Sequence, residues 1–314
     1  MDVGDILRAA TRLGASDIHL GSNEPPVIRV QGVLRRVDAS PFGSSRLRDW
    51  LRELFPEGVL ERDSFDSVVE LPTYGRFRLN VFRHQHGLAA ALRIIPERVP
   101  RFDTLGLPSS VRQVARCEQG LVLITGATGS GKSTTMAAII DEINSQRSAH
   151  ILTIEDPIEF LHESRQALIR QRQVGRDAES FPGALRAMLR EDPDIIVVGE
   201  LRDRETMQLA LTAAETGHLV LATAHSSDAP RTIHRIVDAF SPEQHNQVRA
   251  MLAESLQMIV SQTLRAQEVG GRVLEAEVLI ATPAVRTLIR DAKLHQLRGV
   301  MQASGGAGMR TVGS

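Results

Sequence analysis

The spacing of hydrophobic positions changes partway along the chain. Up to about residue 98 they form short alternating or apolar runs at 18–20, 27–30, 68–71, 77–82 and 88–95, interrupted by Pro25, Pro26, Pro41, Pro72 and Pro96. A period near two with proline breaks predicts short strands with a few helices, an α+β domain. From residue 121 the runs are brief and continuously apolar, at 121–124, 151–154, 195–198 and 219–222, with helical segments between them. A strand apolar on both faces is buried on both faces, as in a parallel sheet covered by helices. The second part is predicted to be α/β.

Between the two parts, residues 97–110 hold Pro100 and Pro108 and show little periodicity, so a linker is placed at 99–110. This divides the chain into an N-terminal domain at 1–98, the linker, a second domain with C-terminal helices at 111–304, and a glycine-rich tail at 305–314 expected to be flexible. Within the second domain, Val248, Met251, Leu252, Leu256, Ile259 and Val260 share one helical stripe, predicting a single long helix over 242–265. A further helix is predicted over 283–290.

A length of 314 residues suits two domains. No apolar run approaches the ~18 residues of a membrane span, and residues 1–8 are too acidic and too poor in apolar residues for a signal peptide. With one cysteine, Cys117, there is neither an internal disulfide nor a multi-cysteine zinc module. A cytoplasmic protein is expected. The net charge of −1 gives no general field for nucleic acid. Lys132 and Lys293 are the only lysines, which makes the placement of Lys132 informative.

That lysine lies in the run Gly126, Ala127, Thr128, Gly129, Ser130, Gly131, Lys132, Ser133, Thr134, which follows a predicted strand and opens a predicted helix. This is a P-loop in its strand–loop–helix context. Its glycines let backbone N–H groups turn toward phosphate oxygens at the positive end of a helix. Lys132 would reach the β- and γ-phosphates of ATP, and the Ser133 hydroxyl would ligate Mg²⁺.

Two acidic elements follow. The run 195–198 leads through Gly199 to Glu200, a Walker B-like strand whose acid comes one residue later than usual and would hold Mg²⁺ through water. The run 151–154 leads to Glu155, Asp156 and Glu159, where a carboxylate facing the nucleotide can orient and deprotonate the attacking water. His218 and His225 flank the run 219–224; with no cysteine nearby to complete a ligand set, metal ligation is disfavoured, which leaves two structural histidines as the default reading and a γ-phosphate sensor role for at least one as the sharper one.

These four elements in this order, behind an N-terminal α+β domain, resemble the secretion ATPase superfamily of type II secretion and type IV pilus motors. Ser16-Asp17-Ile18-His19-Leu20, Arg76-Phe77-Arg78-Leu79-Asn80 and Ala284-Val285-Arg286-Thr287-Leu288-Ile289-Arg290 are similar to its pilus-retraction, PilT-type branch. Ala224, Ser226 and Thr287 depart from the usual motif residues. The resemblance implies a RecA-like P-loop ATPase domain preceded by a smaller, PAS-like domain. It further implies Glu159 as general base, Glu200 acting through Mg²⁺-bound water, and His218 and His225 as phosphate sensors. Arg78 and Arg93 would supply positive charge from the N-terminal domain, with Arg76 and Arg83 as competing candidates. The implied partners are a homo-hexamer, a PilC-like inner-membrane platform protein that would hold the motor peripherally at the membrane, and a paralogous accessory ATPase. The implied activity is ATP hydrolysis driving pilus retraction and twitching motility.

Three other readings remain open at this level: an accessory retraction ATPase, a motor of another type II or type IV secretion system, and a nucleic-acid translocase. For the last, Arg165, Arg170, Arg172 and Arg176 form an acid-free stretch, but it lacks interleaved aromatic residues.

Overall fold

The computed structural model describes residues 2–96, 98–267 and 271–311. It divides into two compact units, Met1–Arg98 and Val99–Ser314.

The first unit runs α1 (Val3–Arg12), β1 (Ala15–Gly21), β2 (Val27–Val30), β3 (Val33–Arg36), α2 (Ser44–Leu54), α3 (Glu57–Leu60), β4 (Ser64–Leu71), β5 (Gly75–His84) and β6 (Gly87–Ile95). Its strands form one antiparallel sheet in the order β3-β2-β1-β6-β5-β4. Alternation decides the layers. Ile18 and Leu20, Phe77, Leu79 and Val81, and Leu88, Ala90 and Leu92 point to one face and pack with Ile6, Leu7, Leu47 and Leu51 of α1 and α2. The intervening residues, among them Asp17, His19, Arg78 and Arg93, take the other face.

The second unit runs β7 (Gly120–Gly126), α4 (Lys132–Gln146), β8 (His150–Glu155), β9 (Leu168–Gln173), α5 (Phe181–Met188), β10 (Ile195–Val198), α6 (Arg204–Glu215), β11 (Leu219–Ala224), α7 (Ala229–Asp238), α8 (His245–Ser255), β12 (Leu256–Ala266), β13 (Arg272–Ile280), α9 (Pro283–Arg290) and α10 (Leu297–Ala303). The sheet order is β13-β12-β7-β11-β10-β8-β9, parallel throughout except for β13. Apolar side chains fill both faces: Leu121, Leu123, Ile196 and Val198 join α5 to α9, whereas Val122, Ile124, Ile195 and Val197 join α4.

Three expectations change. The helix expected over 242–265 stops at Ser255, and residues from Leu256 form β12 beside β7. Met258 and Val260 pack on one face while Leu256 and Ile259 pack on the other, so the apolar run is a two-faced central strand. The segment 99–110, expected to be a linker, carries a 3-10 turn, Phe102–Thr104, and the start of a second, Ser109–Arg116. Proline allows such turns, and Phe102 buries its ring in the α4 core cluster. The glycine-rich tail is ordered over 305–311: Arg310 pairs with Val278, Met309 is buried, and the Ser110 hydroxyl donates to the Gly308 carbonyl at 2.7 Å. Residues 312–314 lie outside the described residues.

Candidate active site

β7 delivers the glycine-rich loop to the C-terminal edge of the sheet, and α4 begins at Lys132. Gly131 caps α4 in the left-handed region, with φ 90°. Close approach fixes Gly126, because a Cβ there would lie 2.5 Å from Ser130 Oγ and run into the Gln262 carbonyl oxygen. Ser133 and Thr134 occupy the first turn of α4, half-buried, where free backbone N–H groups and the helix dipole favour an anion. Ala127, Thr128 and Gly129 form the exposed crest of the loop.

Lys132 Nζ folds back across this loop and donates to the Gly126 and Ala127 carbonyls, both at 2.9 Å. Burial lowers its pKa, and the negative charges of Glu200 and Glu159 oppose that shift. Lys132 therefore lies within electrostatic reach of both acids.

The Glu200 side chain is only 17% exposed and is clamped from two sides. Its Oε1 lies 3.0 Å from His225 Nε2, and its Oε2 accepts a 2.7 Å bond from Arg202 Nε. Parallel pairing of β10 with β11 brings the ends of these strands together, which sets His225 beside Glu200. The late position of the acid has a steric reason. A Cβ on Gly199 would press on the β8 backbone, 3.1 Å from the Ile154 carbonyl and 3.2 Å from Glu155 Cα. Arg202, missed by the sequence reading, also approaches Asp156 at 3.6 Å.

Glu159 stands in the loop after β8, between the buried side chains of Ile158 and Phe160. Four residues earlier, burial raises the pKa of Glu155 against hydrogen bonds from Thr153 and Gln171. Gln262, hidden from the sequence reading inside an expected helix, is buried within β12 and donates to the Thr135 hydroxyl of α4 at 2.7 Å.

His218 is not brought to this group within one chain. It precedes β11, whereas His225 follows it, and six strand residues separate the two by about 20 Å. The His218 ring nitrogen Nδ1 instead bonds the Ala213 carbonyl at 3.0 Å.

The arginine candidates belong to the first unit. Arg78 and Arg93 are register partners across β5 and β6, with Arg93 Nε 2.9 Å from Asp17 Oδ1 and Arg78 Nε 3.9 Å from Asp66 Oδ1. Arg83 turns to the helical face, where it bonds the Leu60 carbonyl and Glu61. Arg76 has the alternation of Arg78 and shares its face.

Among the described residues no cluster of three or more His, Cys, Asp or Glu could hold a metal by itself. No described helix is long and apolar enough to cross a membrane.

Residues 2–270 match the family described as type II/IV secretion system protein. The chain is 46% identical to the type IV pilus retraction ATPase PilT of Pseudomonas aeruginosa, over 99% of this chain and 92% of that protein. It is 47% identical to a twitching motility protein of Neisseria gonorrhoeae, over 91% of this chain and 78% of the other. Among solved structures, the pilus retraction motor PilT with bound ADP superposes with a TM-score of 0.89 at 43% identity, covering 99% of this chain and 95% of that one. With its P-loop, paired acids and two-unit fold, the chain belongs to the type II/IV secretion system protein family, in the PilT-type branch of pilus retraction ATPases.

Proposed function

We propose that the protein is a Mg²⁺-dependent motor that assembles as a homo-hexamer in the cytoplasm and hydrolyses ATP to retract a type IV pilus through an inner-membrane platform protein. The observation that carries the enzymatic part is the convergence of Lys132, Glu159 and Glu200 at the P-loop, with Glu200 held between His225 and Arg202. The family membership carries the pilus part.

In this reading the P-loop amides and Lys132 bind the β- and γ-phosphates, and Glu159 takes the proton of the attacking water. The hard oxygen donors of Ser133 and Glu200 suit Mg²⁺, which takes few protein ligands and neutralises phosphate charge when bound. His225 orients the Glu200 carboxylate. Arg78 and Arg93 supply positive charge to the γ-phosphate from a neighbouring subunit. A sensing role for His218 would likewise have to be exercised across a subunit boundary.

An accessory nucleotide-binding subunit, or a motor of another secretion system, are the competing readings. The translocase reading is weakened because Arg165, Arg172 and Arg176 are ion-paired with Asp141, Glu191 and Asp177. Steady-state ATPase assay of the purified chain, with its mass in solution, tests the motor. Deletion that leaves cells with excess, immobile pili tests retraction. An inactive purified chain would favour the accessory reading, and normal twitching after deletion would sink the retraction role.

A further inference from the structure

The loop between β8 and β9 is tied down by side-chain amides of the edge strand β9, and the ties flank Glu159. Gln171 Nε2 donates to the Phe160 carbonyl at 2.9 Å and to Glu155 Oε1 at 3.1 Å, and Gln171 Oε1 accepts from the His162 N–H at 2.9 Å. On the other side, Gln173 Oε1 accepts from the Ile158 N–H at 3.3 Å. The Glu155 carboxylate is bonded at 2.6 Å by the Thr153 hydroxyl, and the Glu159 backbone favours its charged form. Backbone positions 158, 160 and 162 are therefore fixed by two glutamine side chains of β9, on either side of Glu159.

The strand pairing explains why these residues can do this. Thr153 is the register partner of Gln171, and Glu155 that of Gln173, so all four stand at the β8–β9 seam from which the loop leaves. Gln171 uses both amide hydrogens and its oxygen. It joins Glu155 to Phe160 and His162, and a shorter or apolar side chain would take these bonds from the Phe160 carbonyl and the His162 N–H and one of its two side-chain donors from Glu155.

We propose that Gln171 is a positioning residue for Glu159, holding the loop so that the Glu159 carboxylate meets the attacking water in register. The proposal rests on the reading of Glu159 as general base. A base must sit within hydrogen-bond reach of the proton it takes, and a misplacement of about 1 Å can lower a rate by about 10²-fold. The effect of losing Gln171 therefore falls on kcat, because the P-loop that binds nucleotide is not part of this network.

The test compares Gln171→Leu, Glu159→Gln and the double variant by steady-state kinetics, nucleotide affinity and thermal unfolding. Q171L is expected to lower kcat by about 10- to 100-fold with KM and ADP affinity within about twofold of the parent. In the E159Q background the same substitution should cause no further loss, since there is no base left to position. Q171N, polar but too short to span Glu155 and Phe160, should show the same kcat loss and carries the test if Q171L does not fold. Parent-like kcat in Q171L or Q171N beside an inactive E159Q would overturn the positioning role and leave the base assignment standing. So would an equal further loss from Q171L in the E159Q background. Parent-like turnover in E159Q would overturn the base assignment, and the positioning role with it.

Discussion

Arg78 and Arg93 stand directly opposite each other across the β5–β6 ladder. Like charges in that arrangement are unfavourable unless carboxylates offset them, and Asp17 does so for Arg93. Burial alone would raise the Asp17 pKa, but hydrogen bonds from Arg93 and Ser16 outweigh it and leave the carboxyl below its ordinary 3.8. A depressed folded pKa stabilises the fold above the unfolded value, and that stability is lost as pH falls through the folded one. Asp17→Asn should therefore lower the Tm at neutral pH, with the gap to the parent closing below about pH 3.8. A gap of constant size down to pH 3 would show that the charge of Asp17 is not what matters.

The two arginines lend themselves to a complementation test. Arg78→Ala and Arg93→Ala should lower turnover and spare the fold, since an arginine finger is worth about 10³ to 10⁵ in rate. Mixed with Lys132→Ala protein, which retains both arginines, each should recover part of the activity if subunits exchange and the arginine serves a neighbouring site. Mixtures as inactive as their components would sink the action between subunits. Tm is the necessary control, because an arginine stem also packs and Arg93→Ala gives up the Asp17 pair, so its Tm should match that of Asp17→Asn rather than that of the parent.

At the P-loop, Lys132→Ala should abolish hydrolysis and weaken nucleotide binding, as it removes the cation that faces the phosphates. Glu159→Gln and Glu200→Gln keep shape and lose only carboxylate chemistry. Each should retain nucleotide affinity within a few-fold while kcat falls by about 10² or more. Parent-like turnover in either variant would remove that residue from the mechanism.

The strand–loop–helix around the glycine-rich run is legible because it is local: the run from Gly126 to Thr134 needs only a strand before it and a helix after it, and both form. The places of Glu200 and His225 are also legible, since each lies just past the end of an apolar run. What escaped was set by tertiary pairing. Leu256 to Val260 fit a helical stripe as well as a strand, and only β7 beside them decides between the two. Gln262 was hidden by that choice. Gln171 carries no motif, and its role comes from its register opposite Thr153. His218 and His225 read as one box in sequence, yet a strand holds its ends apart by its own length.

His162, three residues after Glu159 in the same loop, has its pKa lowered from 6.5 to about 4 by burial, with Asp141 acting in the opposite sense. Its Nδ1 is buried with no hydrogen-bond partner among the described residues. The folded state therefore holds this ring neutral where the unfolded chain would already be protonated. Its contribution is complete above pH 6.5 and is lost as pH falls toward about 4. The loss amounts to as much as about 3 kcal/mol. His162→Gln should flatten the fall in stability between pH 6.5 and 4, read from denaturant midpoints. An unchanged pH profile would mean that the ring charges without cost in the folded protein.

Arg286 and Arg290 lie on one stripe of α9 by their spacing, but only Arg290 is exposed. Arg286 Nη1 donates at 2.6 Å to the carbonyls of both Ala253 and Glu254, in the last turn of α8. A cation at a helix C-terminus satisfies carbonyls that have no partner in the helix and complements its dipole. α8 passes straight into β12, which pairs with the strand that carries the P-loop. Arg286→Ala should therefore lower stability by about 1.5 to 3 kcal/mol, the worth of hydrogen bonds made by a charged group. Arg286→Lys should recover only part, because an ammonium lacks the planar fork. Arg290→Ala should leave the Tm unchanged within about 0.5 kcal/mol of stability. Twitching motility then separates the two roles. Loss of motility in the Arg290 variant, with parent-like Tm and ATPase activity, would mark Arg290 as a partner contact. Loss confined to Arg286 variants, in step with their Tm, would make the motif a brace for α8. An Arg286→Ala protein as stable as the parent would sink the capping role.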